Sequence, residues 1–183
     1  EGVLPARQTE NLDKVLLSAD HLLNLVNTVL DIAKIEAGRM DVLAANFQIS
    51  ALIDLCANTN RPLLRRGVTL EKHVAEGLSL IYSDQDKIRQ IVLNLLSNAA
   101  KFTHTGRIYL IADRDGENLR ITVADTGIGI SAEALSRIFK EFQQGDTSTT
   151  RQYGGTGLGL SISRNLARLL GGDLTGESEL GKG

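Results

Sequence analysis

Asn94 and Asn98 stand four residues apart in NLLSNAAKFT, residues 94–103, so on a helix both amides project from one face. Amide oxygens there can reach a hard cation or phosphate-bound water. Lys101, three residues on, adds a mobile point charge suited to phosphate. The same residues also fit a solvated polar stripe. Asp125 opens DTGIGI, residues 125–130, directly after a strand-like run. Gly127 and Gly129 let the backbone approach a ligand closely, and the carboxylate can accept the amino hydrogens of an adenine. A glycine-rich turn capped by Asp reads equally well from these residues alone. FKEF, residues 139–142, carries two phenylalanines that suit a core. GGTGLGLSI, residues 154–162, sets four glycines before an apolar helix. Backbone N–H groups and the positive dipole end at such a helix start form a phosphate cradle. It is not a dinucleotide fingerprint, because G-x-G-x-x-G from Gly155 meets Leu160, and no G-x-x-x-x-G-K-[ST], HRD or DFG occurs.

The elements that must position these residues fall into two patterns. From residue 9 to 37, Leu12, Leu16, Ala19, Leu23, Val26, Leu30, Ala33 and Ala37 alternate steps of four and three, a heptad seam. Val15, Leu22 and Val29 widen it into the face of a helical bundle, and Gly38 reads as its terminator. Such a helix needs a partner to bury that face. Beyond Gly38 the pattern is mixed. Strands are predicted over 68–74, 107–114 and 119–126, the last two joined by Asp115-Gly116 as a hairpin. Helices are predicted over 50–65, 85–101, 131–138 and 157–170. This irregular mixture predicts an α+β fold, a two-layer α/β sandwich of a mixed sheet packed on helices, preceded by one long helix. QQGDTSTTRQY, residues 143–153, is polar and aperiodic, the pattern of a lid loop.

Composition excludes several classes. With 20 Lys+Arg against 22 Asp+Glu and a net charge of −2, the chain has no overall positive field for nucleic acid. The single cysteine, Cys56, lies among Leu52, Ile53 and Leu55 and reads as a small buried hydrophobe. No apolar run approaches the roughly 18 residues of a membrane span. The segment is expected to be soluble and cytoplasmic, whether or not a longer parent is anchored in a membrane.

The ordered set 94–103, 125–130, 139–142 and 154–160 resembles the N, G1, F and G2 boxes of sensor histidine kinases. These belong to the Bergerat ATPase superfamily shared with gyrase, Hsp90 and MutL. HLLNLVNTVLDIAKIEAGRM, residues 21–40, resembles the second helix of the kinase dimerisation module. The resemblance implies two domains, a partial dimerisation module over 1–40 and an ATP-binding catalytic domain over 41–183. It implies ATP and Mg2+ as ligands, with Asn98 on the metal and Asn94 beside it at metal or phosphates. Lys101 would contact phosphate, Phe102 would pack on the base, Asp125 would accept from the adenine amino group, and Gly127 and Gly129 would shape the pocket floor. Gly155, Thr156, Gly157, Leu158 and Gly159 would line the phosphates. Arg151, in the lid, is either a contact to the terminal phosphate or a solvated loop arginine.

The superfamily's hydrolases resemble one another in a water-activating glutamate four residues before the metal-binding asparagine, where this chain has Asn94. An amide is no general base. The resemblance therefore implies phosphoryl transfer to a histidine on the dimerisation module, then to a response-regulator receiver, in a homodimeric parent. The alternatives are a non-catalytic nucleotide-binding scaffold and a Bergerat ATPase. The acceptor motif H-E-x-x-x-P-L is absent. His21 lies off the heptad seam with no acidic residue after it, and His73 and His104 lack an acceptor's context. The family pattern also continues past GGDLTGESELGKG with a further strand, which is expected to be missing here.

Overall fold

The computed structural model describes residues 6–139 and 157–183, and the chain divides after Met40 into two compact units. The first is one helix, α1 (Ala6–Glu36). It stops where Gly38 takes φ +63°. The Gly38 N–H donates to the Ile35 carbonyl at 3.0 Å and the Arg39 N–H to that of Lys34 at 2.8 Å. This is the Schellman closure that a left-handed glycine makes cheap. Both rows of the predicted seam lie open: Leu12, Val15, Leu16, Leu22, Leu23, Val26, Val29 and Leu30 are between 46% and 63% exposed.

The second unit runs β1 (Ala45–Gln48), α2 (Ile49–Asn60), β2 (Val68–Val74), β3 (Leu80–Ser83), α3 (Gln85–Phe102), β4 (Gly106–Asp115), β5 (Asn118–Asp125), α4 (Ala132–Leu135) and α5 (Gly159–Leu169). β1 pairs antiparallel with β3, Ala45 opposite Ser83. A three-stranded sheet has the order β2-β4-β5. β2 runs parallel to β4, Val68 opposite Gly106, and β4 antiparallel to β5, Asp115 opposite Asn118. The mixed sheet matches the expected two-layer α/β architecture. Gly116, at φ +63°, begins the two-residue hairpin loop, where a left-handed residue matches the twist of the strands.

The core forms between sheet and helices. Ile108, Leu110 and Ala112 alternate inward along β4 and meet Leu52, Ile53 and Cys56 of α2 and Val92, Leu96 and Ala99 of α3. α2 is shorter than predicted. It ends at Asn60, and Pro62 sits in a tight 3-10 turn over Arg61–Leu63, because proline has no N–H with which to continue the helical hydrogen bonding. α4 spans only Ala132–Leu135 of the predicted 131–138. β1 and β3 have no counterpart among the predicted strands. Among the described residues no helix is long and apolar enough to cross a membrane.

Candidate functional site

α3 carries four of the candidate side chains, Asn94, Asn98, Lys101 and Phe102. Asp84 caps its start, accepting from the Lys87 N–H at 3.1 Å, from the Lys87 ammonium at 2.8 Å and from the Leu43 N–H at 2.9 Å. Burial alone would raise this carboxyl's pKa, but Lys87 and the two N–H donors hold it below the usual value. Ile88, Val92, Leu96, Ala99 and Ala100 form the buried face of the helix. Asn94, Asn98 and Lys101 fall on another face and are half-buried. Burial lowers the pKa of the Lys101 ammonium, whose nitrogen sits 5.0 Å from the centre of the Phe102 ring.

At the C-terminal end of α3, Thr103 is fully buried, and its hydroxyl donates to Asp125 Oδ1 at 3.3 Å. The Gly127 N–H donates to the same oxygen at 2.8 Å. Asp125 is thus fixed through Oδ1, while Oδ2 accepts from none of the described residues. Gly127 is required by space: a Cβ there would lie 2.6 Å from Asp125 Oδ1 and 2.6 Å from the Phe102 carbonyl oxygen. The Ile128 N–H donates to that carbonyl at 3.3 Å. Gly129, at φ +66°, presses against the carbonyl of Glu179. The Gly181 N–H donates to the Ile128 carbonyl, and Ser178 Oγ accepts from the Ile130 N–H, both at 2.8 Å. The last residues of the chain therefore brace the 125–130 loop.

α5 begins at Gly159, after Gly157 at φ +70° and the buried Leu158. Its first N–H groups have no carbonyl one turn back within the helix, so this end is suited to an anion. Asn94 lies directly against it. Its Nδ2 donates to Ser163 Oγ at 2.8 Å, and a Cβ on Gly159 would fall 2.4 Å from Asn94 Oδ1. Phe139 packs beneath the Arg164 guanidinium, 5.1 Å from the ring centre, and Arg164 pairs with Asp173 at 2.9 and 3.0 Å.

Three of the four sequence segments therefore meet: α3 touches the loop after β5 through Thr103 and the start of α5 through Asn94. Arg151, Gly155 and Thr156, with Phe142 and the lid 143–153, lie outside the described residues. Neither Thr103 nor Ser163 was singled out by sequence reasoning. Thr103 closes the NLLSNAAKFT motif, which was the available signal; Ser163 follows the last glycine motif, where serine in a helix carries no signal of its own. His73 is exposed on β2, and His104 Nδ1 accepts from Arg65 at 2.8 Å. Neither histidine is among the groups assembled around Asn94 and Asp125.

The arrangement offers a fixed carboxylate with one oxygen that accepts from none of the described residues, a glycine floor, amide oxygens, an ammonium and a helix N-terminus. Among the described residues no three His, Cys, Asp or Glu gather to hold a metal. A hard cation would thus rely on the Asn94 and Asn98 oxygens, a sparse set that fits Mg2+, which keeps waters and phosphate oxygens as its other ligands.

Residues 83–183 match the model of the histidine kinase-, DNA gyrase B- and HSP90-like ATPase family. The whole chain is 40% identical over 186 residues to the circadian input-output histidine kinase CikA of Synechococcus elongatus, of which it covers 25%. It is 39% identical over 190 residues to the autoinducer 2 sensor kinase/phosphatase LuxQ of Vibrio vulnificus, covering 22%. It spans about a quarter of the length of these relatives. Among solved structures, full-length ShkA in complex with AMPPNP aligns with a TM-score of 0.85 and 36% identity, over 99% of this chain and 38% of that one. The Acinetobacter baumannii histidine kinase AdeS aligns at 0.78, with 22% identity over 98% of this chain and 82% of its own, a likeness of fold.

Proposed function

Because the chain belongs to the histidine kinase-, DNA gyrase B- and HSP90-like ATPase family, we propose that its second unit binds Mg2+·ATP and presents the γ-phosphate to a histidine on a dimerisation module. The single observation that carries the reading is Asp125. One of its oxygens is held by Thr103 and Gly127 and the other accepts from none of the described residues, the arrangement needed to take an adenine amino group while the Gly127 floor admits the ring. Gly157 to Gly159 and the α5 N-terminus then receive phosphates, and the family resemblance adds Gly155, Thr156 and Arg151 as phosphate contacts. Asn98 and Asn94 hold Mg2+, which supplies neutralisation of phosphate charge. Lys101, its positive charge partly desolvated, contacts phosphate, and Phe102 packs on the base.

ATP is the phosphoryl donor in this reading, and the acceptor is an imidazole rather than water. Asn94 supports that choice. It is the side chain packed on Gly159, and an amide has no basicity with which to activate water. Catalysis by these residues then consists of positioning and charge stabilisation. The open apolar rows of α1 support pairing of that helix into a bundle, with a homodimer and a downstream receiver aspartate as partners of the longer protein.

Titrating the chain with a fluorescent ATP analogue, with and without Mg2+, tests the proposal. Saturable binding that ATP competes and Mg2+ strengthens is the expected result. A folded chain that binds no nucleotide contradicts it.

A further inference from the structure

We propose that Ser178 is a positioning residue for the loop that receives the base: its hydroxyl ties the far end of residues 125–130 to the turn 178–183 and so holds Asp125 and Gly127 in the geometry that takes an adenine. This rests on the reading that the site binds ATP.

The two hydrogen bonds at Ser178 leave its hydroxyl no choice of sense. The Ile130 N–H can only donate, and it reaches Oγ at 2.8 Å; the Gly183 carbonyl can only accept, and Oγ donates to it at 2.8 Å. The same carbonyl accepts from the Glu179 N–H at 2.9 Å, and the Lys182 N–H donates to the Glu179 carbonyl at 2.9 Å, so residues 178–183 form a closed turn. That turn meets the loop at its start, middle and end. Gly183 lies so close to the Asp125 carbonyl, and Gly129 so close to the Glu179 carbonyl, that a Cβ on either would collide. Between them the Gly181 N–H donates to the Ile128 carbonyl at 2.8 Å. Of these contacts the one at Ser178 is made by a side chain, so it can be removed with the backbone left as it is. The half-buried hydroxyl bonds to neither Asp125 nor Gly127, so it acts on the nucleotide through the loop. A loop held in place before binding loses less conformational entropy when the ligand arrives.

The test measures the Kd of ATP and of ADP by competition against a fluorescent ATP analogue, with Mg2+ and in EDTA, on the intact chain. Ser178→Ala should weaken both nucleotides about 3- to 10-fold, by the same factor with and without Mg2+, because the loop serves the base and not the cation. Ser178→Thr keeps the hydroxyl and should bind within about twofold of wild type. A role in stability alone would lower the urea midpoint of Ser178→Ala and leave its Kd values at those of the wild type, which overturns the proposal. A loss confined to ATP or to Mg2+ would place the effect at the phosphates and overturn it too, as would a loss in Ser178→Thr equal to that in Ser178→Ala. If Ser178→Ala does not fold, amide exchange of the wild type decides: the Ile130 N–H should exchange slowly in the free chain, and exchange at the rate of an open amide overturns the proposal. A wild-type chain that binds no nucleotide overturns the functional reading, whereas wild-type binding matched by Ser178→Ala overturns this inference alone.

Discussion

Replacing Asp125 by asparagine exchanges one carboxylate oxygen for an NH2 group, and the structure separates what that does to folding from what it does to binding. The oxygen that accepts from Thr103 at 3.3 Å and Gly127 at 2.8 Å has an amide equivalent. The variant keeps both bonds as neutral ones, at a stability cost of about 1 kcal/mol or less. The NH2 group then occupies the place of Oδ2, where the adenine amino group would have to donate. A lost charge-assisted hydrogen bond is worth about 1.5–3 kcal/mol, or roughly 10- to 150-fold in Kd. Asp125→Ala differs in kind, because it also strands the hydroxyl of Thr103, which is 0% exposed. Leaving that group unpaired costs about 1–3 kcal/mol more stability. The assay is paired: nucleotide titration for affinity and urea denaturation for stability, on both variants. Asparagine should weaken binding at least tenfold with little change in midpoint, and alanine should lower both. The reasoning fails if Asp125→Asn binds within threefold of wild type, or if it destabilises as much as alanine.

Gly127→Ala places a methyl 2.6 Å from a backbone carbonyl that cannot step aside; about 1–3 kcal/mol of stability and most nucleotide affinity should be lost, as seen by urea denaturation and titration. Asp84→Ala removes the α3 cap and leaves Lys87, 15% exposed at its side chain, without its partner, which should cost about 2–4 kcal/mol by urea denaturation at pH 7. Since the folded pKa of Asp84 is lowered, its contribution is complete above the unfolded carboxylate range near about pH 4 and lost as pH falls through the folded value. The wild type should therefore lose more stability than Asp84→Asn between about pH 6 and pH 3. Cys56 is fully buried, and burial pushes its thiol up to about 11, Arg89 offsetting a little; iodoacetamide at about pH 8 should label it only in denaturant.

The parts of the site legible in the sequence are those written within one element or one turn. Asn94 and Asn98 announce themselves by a four-residue step on a helix, and Gly127 and Gly159 by their place beside polar groups. The β4–β5 hairpin follows from alternation around Asp115-Gly116. What stayed hidden depends on pairing across distance. β1 and β3 are four residues each, too short to show a period, and they exist because Ala45 meets Ser83. Ser163 reaches Asn94 across 69 residues of sequence and Thr103 reaches Asp125 across 22, so neither role has a local signature. Asp84 caps α3 through the Lys87 N–H, and only the fold brings the Leu43 N–H to its second oxygen.

The proposed reaction is transfer of the phosphate to a histidine rather than to water. Incubating the chain with γ-labelled ATP, Mg2+ and a separately supplied histidine-bearing dimerisation helix tests that most directly. The account predicts acid-labile, base-stable label on the helix, lost with Asp125→Asn, and little phosphate released when the helix is left out. Steady phosphate release without the helix, and no label on it, would contradict the account and make this site a hydrolase.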